Sequence, residues 1–249
     1  MNVLKYIKIH EFYKRNVSGV DYFIGDIHGE YSLFISLLKH LDFDEERDRI
    51  FSVGDLIDRG GFSYECLMLA GKKWFIPVIG NHEEMLLKSV SNKFIHDLWV
   101  KNGGDWWLKL CESKKNKCLN LILQKFTLTA TIETQFDLVG LLHADYLEPA
   151  WPPSPDKINE GVIKNILWGR EIISNKIINY VDNVDFIISG HTPLKLPEKI
   201  GANLFIDTGC GHLENNYIPQ PKLTALTFKN GKIVCHMLDR HNYYQTIQL

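Results

Sequence analysis

Short apolar runs that stop at a glycine and a polar residue constrain this chain more than any other feature. Val20–Ile24 ends in Gly25-Asp26-Ile27-His28, Ile50–Val53 ends in Gly54-Asp55, and Trp74–Ile79 ends in Gly80-Asn81-His82. After the first of them, Leu33, Phe34, Leu37, Leu38 and Leu41 recur at helical spacing. Phe62–Ala70 and Glu83–Val90 read the same way, so a strand, turn, helix cadence is repeated three times. Later runs at Leu138–Leu142, Phe186–Ser189, Leu204–Ile206, Leu223–Phe228 and Lys232–Leu238 are strand-like. Two of them lead into histidine, at His143 and at Gly190-His191. The pattern predicts α/β organisation in the first half and more β-structure in the second.

At 249 residues the chain suits one large domain. We expect an N-terminal extension over residues 1–19, in which Val3, Tyr6, Ile7 and Ile9 could instead form a short edge strand, and a single catalytic domain over 20–249. Lys+Arg 28 against Asp+Glu 30 gives no basic field for DNA. Five scattered cysteines without a CxxC pair argue against a disulfide framework or a thiolate zinc site. With no signal-peptide pattern and no run of about 20 apolar residues, a cytoplasmic protein without membrane contact is expected.

Residues at the C-terminal ends of neighbouring strands converge, which is where open α/β sheets bind ligands. Glycine before each polar residue permits a sharp turn and a close approach. Singly, Asp26 reads as a helix cap, His143 as a buried hydrogen-bonded residue and Gly80-Asn81 as a turn. Together, Asp26, His28, Asp55, Asn81, His143 and His191 form a carboxylate, amide and imidazole set suited to Mn, Fe or Zn. Spacing adds that Asp26 and His28 can share a side if the chain between them is extended.

GDIHGE (25–30), GDLIDRGG (54–61), GNHE (80–83), LLHAD around His143 and GHTP (190–193) resemble the calcineurin-like metallophosphoesterases, and within them the phosphoprotein phosphatase branch. Small bacterial and bacteriophage serine/threonine protein phosphatases are the nearer likeness, with symmetrical diadenosine tetraphosphatases beside them. WVKNGGDWW (99–107), LWGRE (167–171) and IDTG (206–209) fit the same resemblance, while Glu30 and Gly61-Phe62 depart from it.

The resemblance implies an α/β (α+β) four-layer sandwich of two mixed sheets flanked by helices. It implies two divalent metal ions, Mn first with Fe or Zn as alternatives. Asp26, His28 and Asp55 would hold one, and Asp55, Asn81, His143 and His191 the other, with Asp55 bridging. A metal-bridging hydroxide would attack phosphorus directly. The catalytic residues implied are His82 as general acid, Asp58 orienting it, and Arg59 and Arg170 binding phosphate. The substrate would be phosphoserine or phosphothreonine in proteins, or alternatively a dinucleoside polyphosphate. Residues 92–125 and the loop 144–165 are expected to form the rim that decides between them. Trp106 and Trp107 could stack on a substrate there, although core packing of at least one is the plainer reading. Among the remaining histidines, treated as structural or surface residues, His212 is the first to examine because it lies beyond IDTG.

Overall fold

A computed structural model describes residues 6–135 and 137–249. Val3 of the N-terminal alternation lies outside the described residues. Two six-stranded mixed sheets face each other. The first runs β1 (Lys8–Tyr13), β5 (Thr127–Glu133), β6 (Leu138–Leu141), β7 (Phe186–Ser189), β9 (Asn203–Phe205) and β8 (Glu198–Ile200). The second runs β12 (Tyr244–Gln248), β11 (Lys232–Asp239), β10 (Lys222–Lys229), β2 (Asp21–Ile24), β3 (Arg49–Ser52) and β4 (Phe75–Pro77). Phe23, Phe51 and Leu226 from the second sheet, with Val78 just beyond β4, interleave with Ala130, Ile132, Val139, Leu141 and Ile188 from the first. This is the central core of the sandwich.

Helices cover the outer faces. Helix α1 (Tyr31–His40) buries Leu33, Phe34, Leu37 and Leu38, while Leu41 has left the helix as its C-terminal cap. After it come α2 (Ser63–Met68), α3 (Asn81–Ser89), α4 (Lys93–Lys101) and α5 (Glu112–Lys125). Against the first sheet, Ile172 and Ile173 of α7 (Glu171–Asn175) pack on Ile200 and Phe205. No helix among the described residues is long and apolar enough to cross a membrane.

Two elements depart from the sequence expectation, while the edge strand left open for the N-terminal residues forms. Residues 8–13 are a strand on the edge of the first sheet, paired in parallel with β5. His10 anchors it, with Nδ1 at 2.9 Å from Thr129 Oγ1 and Nε2 at 3.1 Å from Thr131 Oγ1. Strand β5 is itself new: its alternate threonines, Thr127, Thr129 and Thr131, are buried, so its sequence lacks the polar–apolar contrast of a half-exposed strand. The stretch 144–165 is not all loop, because α6 (Glu160–Trp168) begins inside it. Asn159 caps that helix by accepting hydrogen bonds from the Gly161 and Val162 amides.

In both sheets the parallel neighbours put like ends together. Parallel β2, β3 and β4 deliver Asp26, Asp55 and Asn81 to one edge of the sandwich. Parallel β6 and β7 deliver His143 and His191 to the same place, with His143 Nε2 2.8 Å from Asn81 Oδ1.

Candidate metal centre

The backbone leaves each strand in a strained turn. His28, Asp55, Asp58, Arg59 and His191 all have positive φ, at 46°, 49°, 75°, 69° and 67°. Each such non-glycine residue costs roughly 1–3 kcal/mol, and such strain collects at functional sites. Asp26 and His28 do meet, at 3.9 Å between Oδ2 and Nε2. His28 itself stands at the start of a left-handed turn. Two glycines are required by close approach. A Cβ on Gly80 would lie 2.1 Å from Asp55 Oδ1, and one on Gly190 would lie 2.0 Å from Asp26 Oδ1.

Second contacts fix the imidazoles. His28 Nδ1 donates to the Ile57 carbonyl at 2.9 Å, and His143 Nδ1 donates to the Val53 carbonyl at 2.8 Å. These bonds leave the Nε2 lone pairs facing Asp55 Oδ2, at 3.6 Å from His28 and 3.5 Å from His143. Asn81 Oδ1 lies 3.0 Å from His191 Nδ1. Burial pushes His28, His143 and His191 below the usual histidine range, so they stay neutral, the form that ligates a cation. Burial would raise Asp55, but His143, His82 and His28 around it outweigh this and hold its carboxyl low.

These residues fit a metal pair. One ligand atom each of Asp55, His143 and His191 lie within 4.8 Å of one another, as do one each of His28, Asp55 and His82, so Asp55 is common to both groups. His191 Nε2 is buried with no hydrogen-bond partner. Asp26 is 2 % exposed, and burial, Asp207 and Asp55 push its carboxyl well above the usual range. Carboxylates this crowded and this dry call for a cation. His82 stands in the second distance group where the sequence places Asp26. Its Nε2 faces the Arg59 guanidinium at 3.3 Å, and its Nδ1 is committed to Asp58 at 2.5 Å, so it suits proton transfer better than ligation.

Asp58 is the hub beside His82. Its Oδ2 accepts from His82 and from Trp99 Nε1 at 2.6 Å, and its Oδ1 accepts from Trp106 Nε1 at 2.7 Å. Burial pushes the Asp58 carboxyl up, while these three donors oppose it. An acceptor-only carboxylate suits three N–H groups, which favours the imidazolium–carboxylate form of the pair. Burial lowers the His82 ring, but Asp55 and Asp58 outweigh it and hold the ring above its usual range. Trp106 is thus a buttress of Asp58, and Trp107 is core at 6 % exposure. Trp106→Phe, which keeps the ring and removes one donor, is expected to lower kcat ~3–10-fold with little loss of Tm, measured by steady-state kinetics and thermal melting.

Glu83 and Asp207 were not singled out from the sequence. Glu83 accepts from the amides of Asp55, Leu56 and Gly80 at 3.0, 2.9 and 3.0 Å, tying two ligand loops together. Asp207, in IDTG, is buried and raised to about 6, chiefly by burial. Its motif was visible, but its charge bears on Asp26 only in the fold.

A cleft of about 320 Å³ opens over the centre, lined by Asp55, Asn81, His82, His191, Arg59 and Arg170. Met85, Leu98, Asn102 and Trp168 complete it. Arg170 Nη1 donates to Thr192 Oγ1 at 3.1 Å. Of the two expected rim segments, 92–125 supplies Leu98 and Asn102. The 144–165 stretch lines a separate hollow around Tyr146, Pro149 and Pro153. The departure at Glu30 has a structural partner, since Arg240 Nη2 donates to its Oε1 at 2.5 Å.

The family model for calcineurin-like phosphoesterases matches residues 22–195. The chain is 34% identical over 192 residues to serine/threonine-protein phosphatase 1 of Salmonella typhimurium, covering 75% of this chain and 84% of that protein. It is 31% identical over 211 residues to serine/threonine-protein phosphatase 2 of Escherichia coli, covering 82% and 92%. A symmetrical bis(5'-nucleosyl)-tetraphosphatase of Nitrosococcus oceani is 45% identical over only 69 residues, covering 26% of this chain and 24% of that one. Among solved structures, a serine/threonine phosphatase from Saccharomyces cerevisiae shares the fold with TM-score 0.53 at 17% identity, covering 97% of this chain and 84% of that one. The chain belongs to the calcineurin-like phosphoesterases and is a metal-dependent phosphatase.

Proposed function

We propose that this protein is a two-metal phosphatase acting on phosphoserine and phosphothreonine in proteins, from a single catalytic domain over residues 20–249. The observation that carries the choice of substrate is the open, partly apolar rim. Besides His82, the cleft has two arginines, Arg59 and Arg170, enough for one phosphoryl group. Leu98 lines it, and Phe94, one helical turn away on α4, is 75 % exposed. A dinucleoside polyphosphate would need further cations and a stacking ring for each base, whereas among the described residues Trp168 is the one tryptophan lining the cleft and Trp106 is spent on Asp58. The long alignments to protein phosphatases and the short one to a tetraphosphatase support the same reading.

Asp26, His28 and Asp55 would hold one metal and Asp55, Asn81, His143 and His191 the other, with Mn suited to this oxygen-and-imidazole set. When bound, the metals supply Lewis-acid polarisation of phosphoryl oxygens and an acidified water. Arg59 and Arg170 bind and orient the remaining oxygens by charge-assisted hydrogen bonds. His82 gives the proton on Nε2 to the departing serine or threonine oxygen. Asp58 fixes the tautomer through Nδ1 and steadies the charge that His82 carries beforehand. No side chain need act as nucleophile. All five cysteines are free thiols, which supports a reducing, cytoplasmic setting.

The rim tests the choice. Phe94→Ser/Leu98→Ser is expected to lower kcat/KM on a phosphoprotein ~5–30-fold through lost apolar contact, while kcat/KM on para-nitrophenyl phosphate stays within about threefold. An equal loss on both substrates would contradict a protein-binding rim.

A further inference from the structure

We infer that His212 is a positioning residue for Arg59, a neutral hydrogen-bond acceptor that holds the guanidinium over the cleft without neutralising it. The inference rests on the reading of Arg59 as a phosphate ligand. His212 Nε2 lies 2.8 Å from Arg59 Nη1, so the arginine donates and the imidazole accepts. The two residues are 153 positions apart, and the backbone is shaped for the contact. Gly209 and Gly211 both have positive φ, 84° and 80°. A Cβ on Gly211 would stand 2.3 Å from the Cβ of His28, so only glycine lets the loop lie this close to the centre. The His212 amide donates back to the Gly209 carbonyl at 3.0 Å, closing the turn that presents the ring.

Arg59 needs such a partner. It is exposed, its own φ is 69°, and its amide reaches only the Gly103 carbonyl at 3.4 Å. Its Nη2 lies 3.3 Å from His82 Nε2, a contact that turns repulsive when His82 carries its proton there. Among the described residues no carboxylate pairs with Arg59 within ion-pair distance. A carboxylate would fix the guanidinium too, but it would compete with the incoming phosphate for charge and donors. An imidazole does the first without the second, provided that it stays neutral. A guanidinium has only donors, so the 2.8 Å contact itself requires the lone pair on His212 Nε2.

A thermodynamic cycle tests this on the metal-loaded protein, with inorganic phosphate as the probe and its Kd read by calorimetry. His212→Ala is expected to weaken phosphate about tenfold, the loss of one hydrogen bond to a charged group. His212→Gln, whose Oε1 can still accept, should stay within about threefold of wild type. In the Arg59→Ala background, His212→Ala should add less than about twofold, because its effect passes through Arg59. On para-nitrophenyl phosphate the same change should appear in KM more than in kcat. Equal weakening by His212→Ala with and without Arg59 would overturn the inference, as would an unchanged Kd in the single variant. If Arg59→Ala itself left Kd unchanged, the reading of Arg59 as a phosphate ligand would fail, and this inference with it. If Arg59→Ala weakened phosphate and His212→Ala did not, this inference alone would fail.

Discussion

Replacing His82 by asparagine is expected to lower kcat on a phosphoserine peptide by about 10²–10⁴-fold, the usual worth of a placed general acid, with both metals still bound. The geometry separates His82 from the ligands. Its Nδ1 is bonded to Asp58 and its Nε2 faces Arg59 and the cleft. Asparagine keeps the amide that donates to Asp55 Oδ1 at 3.0 Å, so the start of α3 should survive. The leaving group decides whether the loss is one of proton transfer. A serine alkoxide leaves poorly without a proton, whereas para-nitrophenolate leaves well. The variant should therefore lose much less on para-nitrophenyl phosphate. A kcat on the peptide within about threefold of wild type would sink the acid role, since the expected loss is at least about 10²-fold.

Asp55→Asn should have the other large effect. Asp55 Oδ2 lies 3.5 Å from His143 Nε2 and 3.6 Å from His28 Nε2, and thus between the two ligand groups. An amide in its place removes a full negative charge from both positions. Metal analysis of the purified variant should find less than one tightly held ion per chain, and kcat should fall by at least about 10³-fold, as expected where metals organise both phosphate and water. The gain in Tm that wild type shows on adding Mn should shrink as well, since a ligand stabilises only the state that binds it. Two tightly held ions in this variant would refute the shared role of Asp55.

How much of this was legible in the sequence follows from the range of the signals. Asp26, His28, Asp55, Asn81, His143 and His191 each end an apolar run, so local pattern and strand geometry suffice to gather them. The three early strand and helix pairs were legible for the same reason. Strand β5 was not, because buried threonines on alternate positions erase the period-two contrast. Helix α6 was hidden behind the proline-rich stretch at 149–155. The supports of the catalytic residues were the least visible. Trp99 and Trp106 reach Asp58 across 41 and 48 positions, and His212 reaches Arg59 across 153. Such pairings depend on how two sheets stack, and no short-range pattern encodes them. Glu83 shows the intermediate case: its motif is plain, but its grip on three amides of two loops appears only in the fold.

The choice of a phosphorylated protein as substrate is tested most directly by one comparison. With Mn-loaded wild-type protein, kcat/KM is measured on a phosphoserine peptide and on diadenosine tetraphosphate under the same conditions. The expected result is at least about a tenfold preference for the peptide, equivalent to about 1.4 kcal/mol of transition-state binding. Equal values, or a preference for the dinucleotide, would contradict it.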